Sequence, residues 1–153
     1  MDKEKFKHMI QVRVRSSEID WQGIVHNAQH LVYCEDGRVT YFGERGILLD
    51  LNATEHQEKV VIARNEIDYV SPARFGDVLK VYTRISFIRN SSFAFESIID
   101  ESTTGRRIAE NVSIHVYLDA RTGEPKTIPE SFRKKVHEYE GENVVIAWPT
   151  YLT

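Results

Sequence analysis

The stretch IDWQGIVHN, residues 19–27, stands where the hydrophobic pattern of the sequence changes from that of a strand to that of a helix. Before it, apolar and polar residues alternate, which is typical of a half-buried strand; they are Ile10, Val12 and Val14, and Gln11, Arg13 and Arg15. After it, five residues recur at the spacing of one helical stripe, namely Ala28, Val32, Glu35, Val39 and Phe42. Gly46 is placed to end that helix. We therefore expect a strand, a loop and one long helix near residues 27–45.

The sequence from residue 60 onward returns to strand patterns. VVIARNEIDYV comes first, and three further segments follow: Leu79, Val81, Ile85 and Phe87 alternating with Lys80, Tyr82, Arg84 and Ser86; the run Phe93–Ile99; and Val112, Ile114, Val116 and Leu118 alternating with Ser113, His115 and Tyr117. The links RNSS and STTG are short and rich in turn formers, which favours hairpins. The order predicts an α+β fold, in which an antiparallel sheet of five or more strands buries one long helix. By its place in the polar alternation, His115 is expected at the surface or at an interface.

The C-terminal segment has a less regular pattern. SFRKKVHEYE is compatible with a short helix, and VVIAWPTYL with an extra strand or a docked tail. We take residues 1–153 as a single domain, with a tail from about residue 141 whose structure the pattern leaves open.

Composition narrows the function classes. The chain is 41% apolar and 28% charged, which is ordinary for a globular protein, and its formal charge of −3 argues against nucleic-acid binding. A small anionic ligand needs only a local patch of positive charge. No signal-peptide run or membrane span is found, so we expect a cytoplasmic protein with no membrane contact. Cys34 has no disulfide partner and is expected in the core.

Three groups of polar residues each allow two interpretations. Asp20 and Asn27 are either a turn former and a helix cap, or functional groups at a helix start. Glu35, within the apolar stripe, is expected to be paired, with Arg38 or a strand residue, rather than to be directly catalytic. His26 and His30 have the i, i+4 spacing of metal ligands, but H-E-x-x-H is absent and no third ligand is indicated. We predict neither a metal nor a cofactor.

Three stretches in this order resemble a known family. DWQGIVHN, residues 20–27, is followed by Glu35 and Arg38 on the helix, then by DYVSPARFGDVLKVYTRI and LDARTGEPKTIP. Together they resemble the hotdog-fold acyl-CoA thioesterases of the 4-hydroxybenzoyl-CoA thioesterase type, over roughly residues 6 to 138. Two positions depart from the family: His or Tyr is frequent where Asn27 stands, and Tyr is common where His30 stands.

The resemblance implies a sheet wrapped around the helix and a second copy of the chain, with active sites at the subunit interface. It also implies that Asp20 is the catalytic carboxylate and that a backbone N–H at Asn27 polarises the substrate carbonyl. The chemistry agrees, because unpaired amides at a helix start can stabilise the negative charge that develops on a thioester oxygen. Asp20 would act either as nucleophile or as general base on water, and His26 could orient that water or Asp20.

Coenzyme A would also require groups that receive its phosphates. The hairpin of Arg89, Asn90, Ser91 and Ser92 offers a guanidinium, hydroxyls and turn amides, and the resemblance implies the same turn. A plain solvated hairpin is an equal alternative. Arg106 and Arg107 form a second candidate patch.

Acyl-CoA hydrolysis is the function that these features favour, although other classes stay open. A hotdog hydratase would resemble D-x-N-P-x-H, which this sequence lacks. A non-catalytic acyl-binding or scaffold protein and a thioesterase for acyl-carrier-protein substrates remain alternatives, and the acyl group is not specified. Because a small sheet exposes edge strands, we expect a homodimer or a dimer-of-dimers tetramer.

Overall fold

The computed structural model describes residues 1–47 and 58–148. Helix α1 spans Asn27–Arg45 and α2 spans Glu130–Glu140. The strands are β1 (His8–Arg13), β2 (Glu58–Tyr69), β3 (Val78–Ile88), β4 (Ser92–Glu101), β5 (Arg107–Asp119) and β6 (Val145–Ile146). The predicted helix near residues 27–45 is confirmed, and it ends at Gly46, whose φ of 68° suits a residue without a side chain.

The strands form one sheet in the order β1-β3-β4-β5-β2, with β2 at one edge. β1 pairs antiparallel with β3, from His8 opposite Thr83 to Arg13 opposite Val78. The short turns that join β3 to β4 and β4 to β5 make those neighbours antiparallel as well. The predicted α+β fold with an antiparallel sheet of at least five strands is confirmed.

The C-terminal segment forms a helix and an extra strand. SFRKKVHEYE lies in α2, as predicted, and β6 pairs with β3 in parallel, Val145 opposite Phe87. The end of the predicted tail, residues 149–153, lies outside the described residues. Within the described ranges, no helix is both long and apolar enough to cross a membrane.

Residues of the chain cluster into two compact units. The first comprises Met1–Tyr41, Glu66–Arg84 and Glu96–Val112. Its core holds ten buried residues: Val14, Val25, Tyr33, Cys34, Ala73, Leu79, Val81, Ile99, Ile108 and Ala109. Cys34 is fully buried, as predicted, and burial raises the pKa of its thiol to about 11.

The second unit comprises the described parts of Phe42–Asn65, Ile85–Phe95 and Ser113–Thr153. An aromatic cluster of Phe42, Phe93, Phe95 and Phe132 lies inside it. The His115 ring stacks on Phe93 with centroids 5.2 Å apart, and it is only 5% exposed. The expectation that His115 lies at the surface is therefore wrong.

Strand β5 shows why that expectation failed. Asn111, Ser113, His115 and Tyr117 are buried, whereas the alternating apolar residues are only half-buried. Alternation identifies which residues share a face of a strand, but it does not identify which face meets the core. Here the polar set is buried, with the Ser113 hydroxyl 2.8 Å from Nε2 of His115.

Helix α1 shows the same reversal. Its buried residues are His30, Tyr33, Cys34, Gly37, Arg38 and Tyr41. The apolar stripe predicted to be buried is exposed at Val32 (46%) and Val39 (54%). Its last member, Phe42, is half-buried and packs in the aromatic cluster of the second unit. Glu35 on that stripe is also exposed, and although burial lowers the pKa of Arg38, the charge of Glu35 acts to raise it. Its expected partner Arg38 lies on the buried face and is 6% exposed.

The buried face of α1 approaches β3 closely at Gly37. A Cβ atom added to Gly37 would lie 2.5 Å from Oγ1 of Thr83 and 3.2 Å from Val81. Real Cβ atoms do not approach other atoms so closely, so this contact fixes how near the helix backbone can lie to the strand.

We predict that Gly37→Ala lowers the free energy of unfolding by about 1–3 kcal/mol, because the added methyl group overpacks the contact with Thr83. The control is Gly43→Ala in the same helix, where an added Cβ meets nothing within 4 Å. That variant should be neutral or more stable, since alanine is the better helix former. Urea unfolding of both variants measures their free energies of unfolding. Equal values for the two variants would contradict a close contact at Gly37.

Candidate active site

The loop ahead of α1 is closed by its own backbone hydrogen bonds. Ile19 and Val25 form an isolated antiparallel bridge, and the Asp20 N–H donates to the Ile24 carbonyl at 2.8 Å. The Gly23 N–H donates to the Asp20 carbonyl at 3.0 Å, with Gly23 in the left-handed region at φ 80°. These bonds hold the Asp20 backbone in a tight turn just ahead of the helix.

The Asp20 carboxylate is half-buried, and its two oxygens differ. Oδ1 accepts a hydrogen bond from the Gln22 N–H at 2.8 Å, which is the contact of a turn-forming aspartate. No donor among residues 1–47 and 58–148 bonds to Oδ2. One oxygen therefore serves the turn, while the described part of the chain leaves the other available.

The first backbone amides of helix α1 differ in whether they find an acceptor. The Ala28 N–H donates to Nδ1 of His26 at 3.0 Å, and the Gln29 N–H donates to the His26 carbonyl at 2.9 Å. Within the described ranges, the Asn27 N–H has no acceptor. An unpaired N–H at a helix start can bind a developing oxyanion.

The capping side chain is therefore His26 rather than Asn27. Asn27 is the first residue of α1 and is exposed, so the interpretation of Asn27 as the cap is wrong. The cap contact requires a lone pair on Nδ1 of His26, which places the proton of the neutral ring on Nε2.

Glu18 stabilises the base of the loop through hydrogen bonds. Its carboxylate accepts hydrogen bonds from the Tyr33 hydroxyl at 2.8 Å, Nε2 of Gln29 at 3.1 Å and the Arg15 N–H at 2.9 Å. Burial, reinforced by the Glu18 charge, raises the pKa of Tyr33, so its hydroxyl stays a neutral donor. The His26 N–H donates to the Glu18 carbonyl at 2.9 Å, which ties the start of α1 to this network.

A groove of about 390 Å³ lies beside this network. Its walls come from β1, the following segment and the first turns of α1, and they are Gln11, Val12, Arg13, Arg15, Glu18, Gln29, Val32, Tyr33 and Asp36. The groove is polar along much of its length and borders the base of the Asp20 loop.

The candidate coenzyme A turn belongs to the second unit and joins β3 to β4. It is closed by a 2.8 Å bond from the Arg89 N–H to the Ser92 carbonyl. Arg89 is exposed, and its guanidinium carbon lies 4.4 Å from the centre of the Phe87 ring. The Asn90 side chain accepts a hydrogen bond from the Thr127 hydroxyl at 3.2 Å, while the hydroxyls of Ser91 and Ser92 bond to none of the described residues.

A buried arginine on α2 supports the same turn. Arg133 is 0% exposed, and its Nη2 donates to the carbonyls of Arg89 and Asn90 at 2.8 and 3.0 Å. Its Nε donates to the Ile128 carbonyl at 3.0 Å, and Nη1 donates to the Ala147 carbonyl. No pattern in the sequence indicated this role, because Arg133 stands in the basic run RKK, which is typical of a solvated helix face.

The second candidate patch is used by the fold. Nη1 of Arg106 donates to Oγ of Ser71 at 2.7 Å and to the Pro72 carbonyl at 2.8 Å. Arg107 pairs with Asp100 at 2.7 Å and with Glu110 at 2.8 Å. Both guanidinium groups therefore have partners within the protein, which argues against the interpretation of Arg106 and Arg107 as a phosphate-binding patch.

Comparison with known proteins decides the family. Residues 14–136 match the family model described as the thioesterase-like superfamily, which covers most of the chain. The chain belongs to that superfamily. It is a thioester hydrolase, and the predicted resemblance to hotdog thioesterases is confirmed.

Three relatives illustrate the range of the superfamily. The Arabidopsis thaliana chloroplastic acyl-acyl carrier protein thioesterase ATL3 is 32% identical over 139 residues, which cover 90% of this chain and 72% of the relative. The Escherichia coli acyl-CoA thioester hydrolase YbgC is 25% identical over 126 residues, 78% of this chain and 88% of the relative. A Thermus thermophilus thioesterase, solved in complex with coenzyme A and Zn, is 32% identical, covers 91% of this chain and 98% of its own, and superposes with a TM-score of 0.78.

The part of this superfamily member that the structure describes contains no group of three or more His, Cys, Asp or Glu side chains arranged to hold a metal ion. His26 and His30, whose spacing raised that question, are used within the helix start. His26 accepts the Ala28 N–H, and Nδ1 of His30 lies 3.2 Å from the His26 carbonyl oxygen.

Proposed function

We propose that the chain hydrolyses acyl-CoA thioesters to a free carboxylic acid and coenzyme A, with Asp20 as the reacting carboxylate. The observation that carries the proposal is that one short segment, residues 20–27, holds two groups without a partner among the described residues: Oδ2 of Asp20 and the N–H of Asn27. One is a base or nucleophile, and the other is a donor for the oxygen that becomes negative.

The Asn27 N–H would receive the substrate carbonyl oxygen, and the helix dipole of α1 would favour negative charge there. As a nucleophile, Asp20 would bond to the carbonyl carbon, the C–S bond would break, and water would hydrolyse the mixed anhydride. As a general base, it would take a proton from the water that attacks the same carbon. In both routes the sulfur leaves as the coenzyme A thiolate, which takes a proton from solvent.

His26 supports this centre as a cap. Its Nδ1 is occupied by the Ala28 N–H, so only Nε2–H remains to orient water or the substrate. We therefore assign His26 to holding the helix start in register with Asp20, rather than to removing a proton.

The nucleotide end of the substrate would be received by Arg89 and the hydroxyls of Ser91 and Ser92, with the Asn90 backbone held by Arg133. Arg89 forms no ion pair with a described residue, so its charge is available to a phosphate. The complex of the Thermus relative with coenzyme A supports a coenzyme A substrate. A coenzyme A substrate also agrees with the expected cytoplasmic location.

The runner-up substrate is a thioester carried by acyl carrier protein. The identity to the ATL3 thioesterase favours it, because that relative acts on acyl-acyl carrier protein. Membership of the superfamily favours hydrolysis over the non-catalytic acyl-binding alternative. Thiol release from matched acyl-CoA and acyl-carrier-protein panels separates the two substrates and identifies the acyl group.

We also propose that the chain is one domain and that a homodimer is its smallest active unit, with a dimer of dimers as the alternative. α1 and the strands β2, β3, β4 and β5 each contribute residues to both units, which supports one domain. Edge strand β2 exposes Val61 and Ile62, and the outer stripe of α1 exposes Val32 and Val39. Sedimentation should give a dimeric or tetrameric mass, whereas a fully active monomer at all concentrations would refute the assembly.

Asp20→Asn should lower kcat for the best acyl-CoA by at least ~10²-fold while leaving thermal stability nearly unchanged, because asparagine can keep the turn contact but lacks the charge. The matched control is Asp119→Asn. Asp119 makes the same kind of turn, accepting the Arg121 and Thr122 amides at 2.8 and 3.1 Å. The control should keep parental kcat, and parental turnover by Asp20→Asn would remove Asp20 from the mechanism.

Arg89→Ala should raise KM for acyl-CoA more than it lowers kcat, because contacts to the nucleotide are shared by the ground and transition states. Acyl-pantetheine, which lacks the nucleotide, should be hydrolysed equally by parent and variant. Arg121→Ala, an exposed arginine in another turn, is the control for loss of surface charge. A fall in kcat alone, or an equal loss with acyl-pantetheine, would take Arg89 out of the phosphate-binding role.

A further inference from the structure

His30 lies in the first turn of α1, on its buried face, and is 3% exposed. Its Nδ1 is 3.2 Å from the His26 carbonyl oxygen and 3.2 Å from the Asn27 carbonyl oxygen. Carbonyl oxygens only accept, so Nδ1 carries the proton and donates to both. Burial lowers the pKa of His30, which keeps the ring neutral in this form.

The contact between Nδ1 of His30 and the His26 carbonyl affects the Asn27 N–H, which is the proposed donor to the substrate. The His26 carbonyl and the Asn27 N–H belong to one peptide group. A donor on the carbonyl side polarises the group and makes its N–H a stronger donor. The His26 carbonyl accepts from His30 and from the Gln29 N–H at 2.9 Å, so this peptide is held by two donors on the side away from its own N–H.

Two tyrosines restrict the His30 ring. The Tyr69 ring meets it edge-on with centroids 5.2 Å apart, and the Tyr33 ring does so at 6.4 Å. The Tyr69 hydroxyl also donates to the Asn27 carbonyl at 3.1 Å, the same oxygen that His30 contacts. The ring and the two carbonyls therefore form one fixed arrangement within the first unit.

We propose that His30 is a positioning residue for thioester hydrolysis: it fixes and polarises the His26–Asn27 peptide, so that the Asn27 N–H is aimed at the substrate carbonyl. The inference rests on the proposed function, in which that N–H binds the developing oxyanion. His30 itself does not move the substrate's protons, because its Nδ1 proton is directed at the helix carbonyls. The competing explanation is a core histidine that merely bonds back to its own helix, as short polar side chains often do.

Two variants of similar polarity separate these explanations. In His30→Asn, the amide nitrogen can occupy the place of Nδ1 and keep the donor. In His30→Gln, the amide nitrogen replaces Nε2 instead, so the contact with the His26 carbonyl is lost. We expect kcat to fall about tenfold or more in His30→Gln with little change in KM, and to stay near the parental value in His30→Asn.

The second readout does not depend on turnover. An acyl-CoA analogue in which a methylene replaces the sulfur keeps the carbonyl but cannot be hydrolysed. With ¹³C at that carbonyl, its NMR shift on binding reports polarisation by the Asn27 N–H. The parent and His30→Asn should give a downfield shift, while His30→Gln should bring the signal back towards that of the free analogue.

The possible results distinguish a failure of the proposed role of His30 from a failure of the proposed function. A carbonyl shift in the parent that persists unchanged in His30→Gln, with parental kcat, overturns the role of His30 alone. Equal losses in the two variants, in proportion to lost thermal stability, also overturn it in favour of the core histidine. No carbonyl shift in the parent itself overturns the placement of the carbonyl at Asn27, and with it the proposed function.

Discussion

The first backbone N–H groups of helix α1 have no helical carbonyl ahead of them to accept their hydrogen bonds. The rest of the site depends on which other groups accept those hydrogen bonds. Nδ1 of His26 accepts a hydrogen bond from the Ala28 N–H, and the His26 carbonyl accepts one from the Gln29 N–H. Among the described residues, the Asn27 N–H has no acceptor. The closed loop ahead of the helix supplies the carboxylate of Asp20. One of its oxygens accepts the turn hydrogen bond, and the other has no donor among the residues that the structure describes. Asp20 can therefore form the turn through Oδ1 and, as proposed, react through Oδ2.

The sequence patterns predicted which residues form helices and strands better than they predicted which faces are buried. The periodicity of apolar residues and the positions of turn-forming residues predicted α1, the hairpins and the C-terminal helix. The buried face was predicted wrongly for β5 and for α1 ahead of Phe42, because apolar residues were assumed to point inward. In α1, Gly37 permits a close approach to Thr83 on the buried face, and Val32 and Val39 are left outside. An apolar stripe on the outside is what the proposed assembly would cover.

The candidate site was predictable only where its residues follow one another in a motif. The order of Asp20, Gly23 and Asn27 pointed to the loop and the helix start. His30 and Arg133 were not predicted as supports, because their role consists of hydrogen bonds to backbone carbonyls. Such bonds arise from the path of the backbone and leave no signature in residue type. For Arg106 and Arg107, residue type suggested a function that the contacts do not favour. This basic pair suggested phosphate binding, but Arg106 bonds to Ser71 and Arg107 pairs with Asp100.

In the proposed mechanism, the thioester carbonyl binds at the start of α1, between the Asn27 amide and the Asp20 carboxylate. A crystal structure with the methylene analogue of an acyl-CoA measures this directly, as the distance from the analogue's carbonyl oxygen to the Asn27 nitrogen. We predict a distance of about 2.7–3.1 Å, with the carbonyl carbon facing Asp20 Oδ2. An analogue bound with its carbonyl away from Asn27, or an Asn27 N–H occupied by another group of the protein, would contradict it.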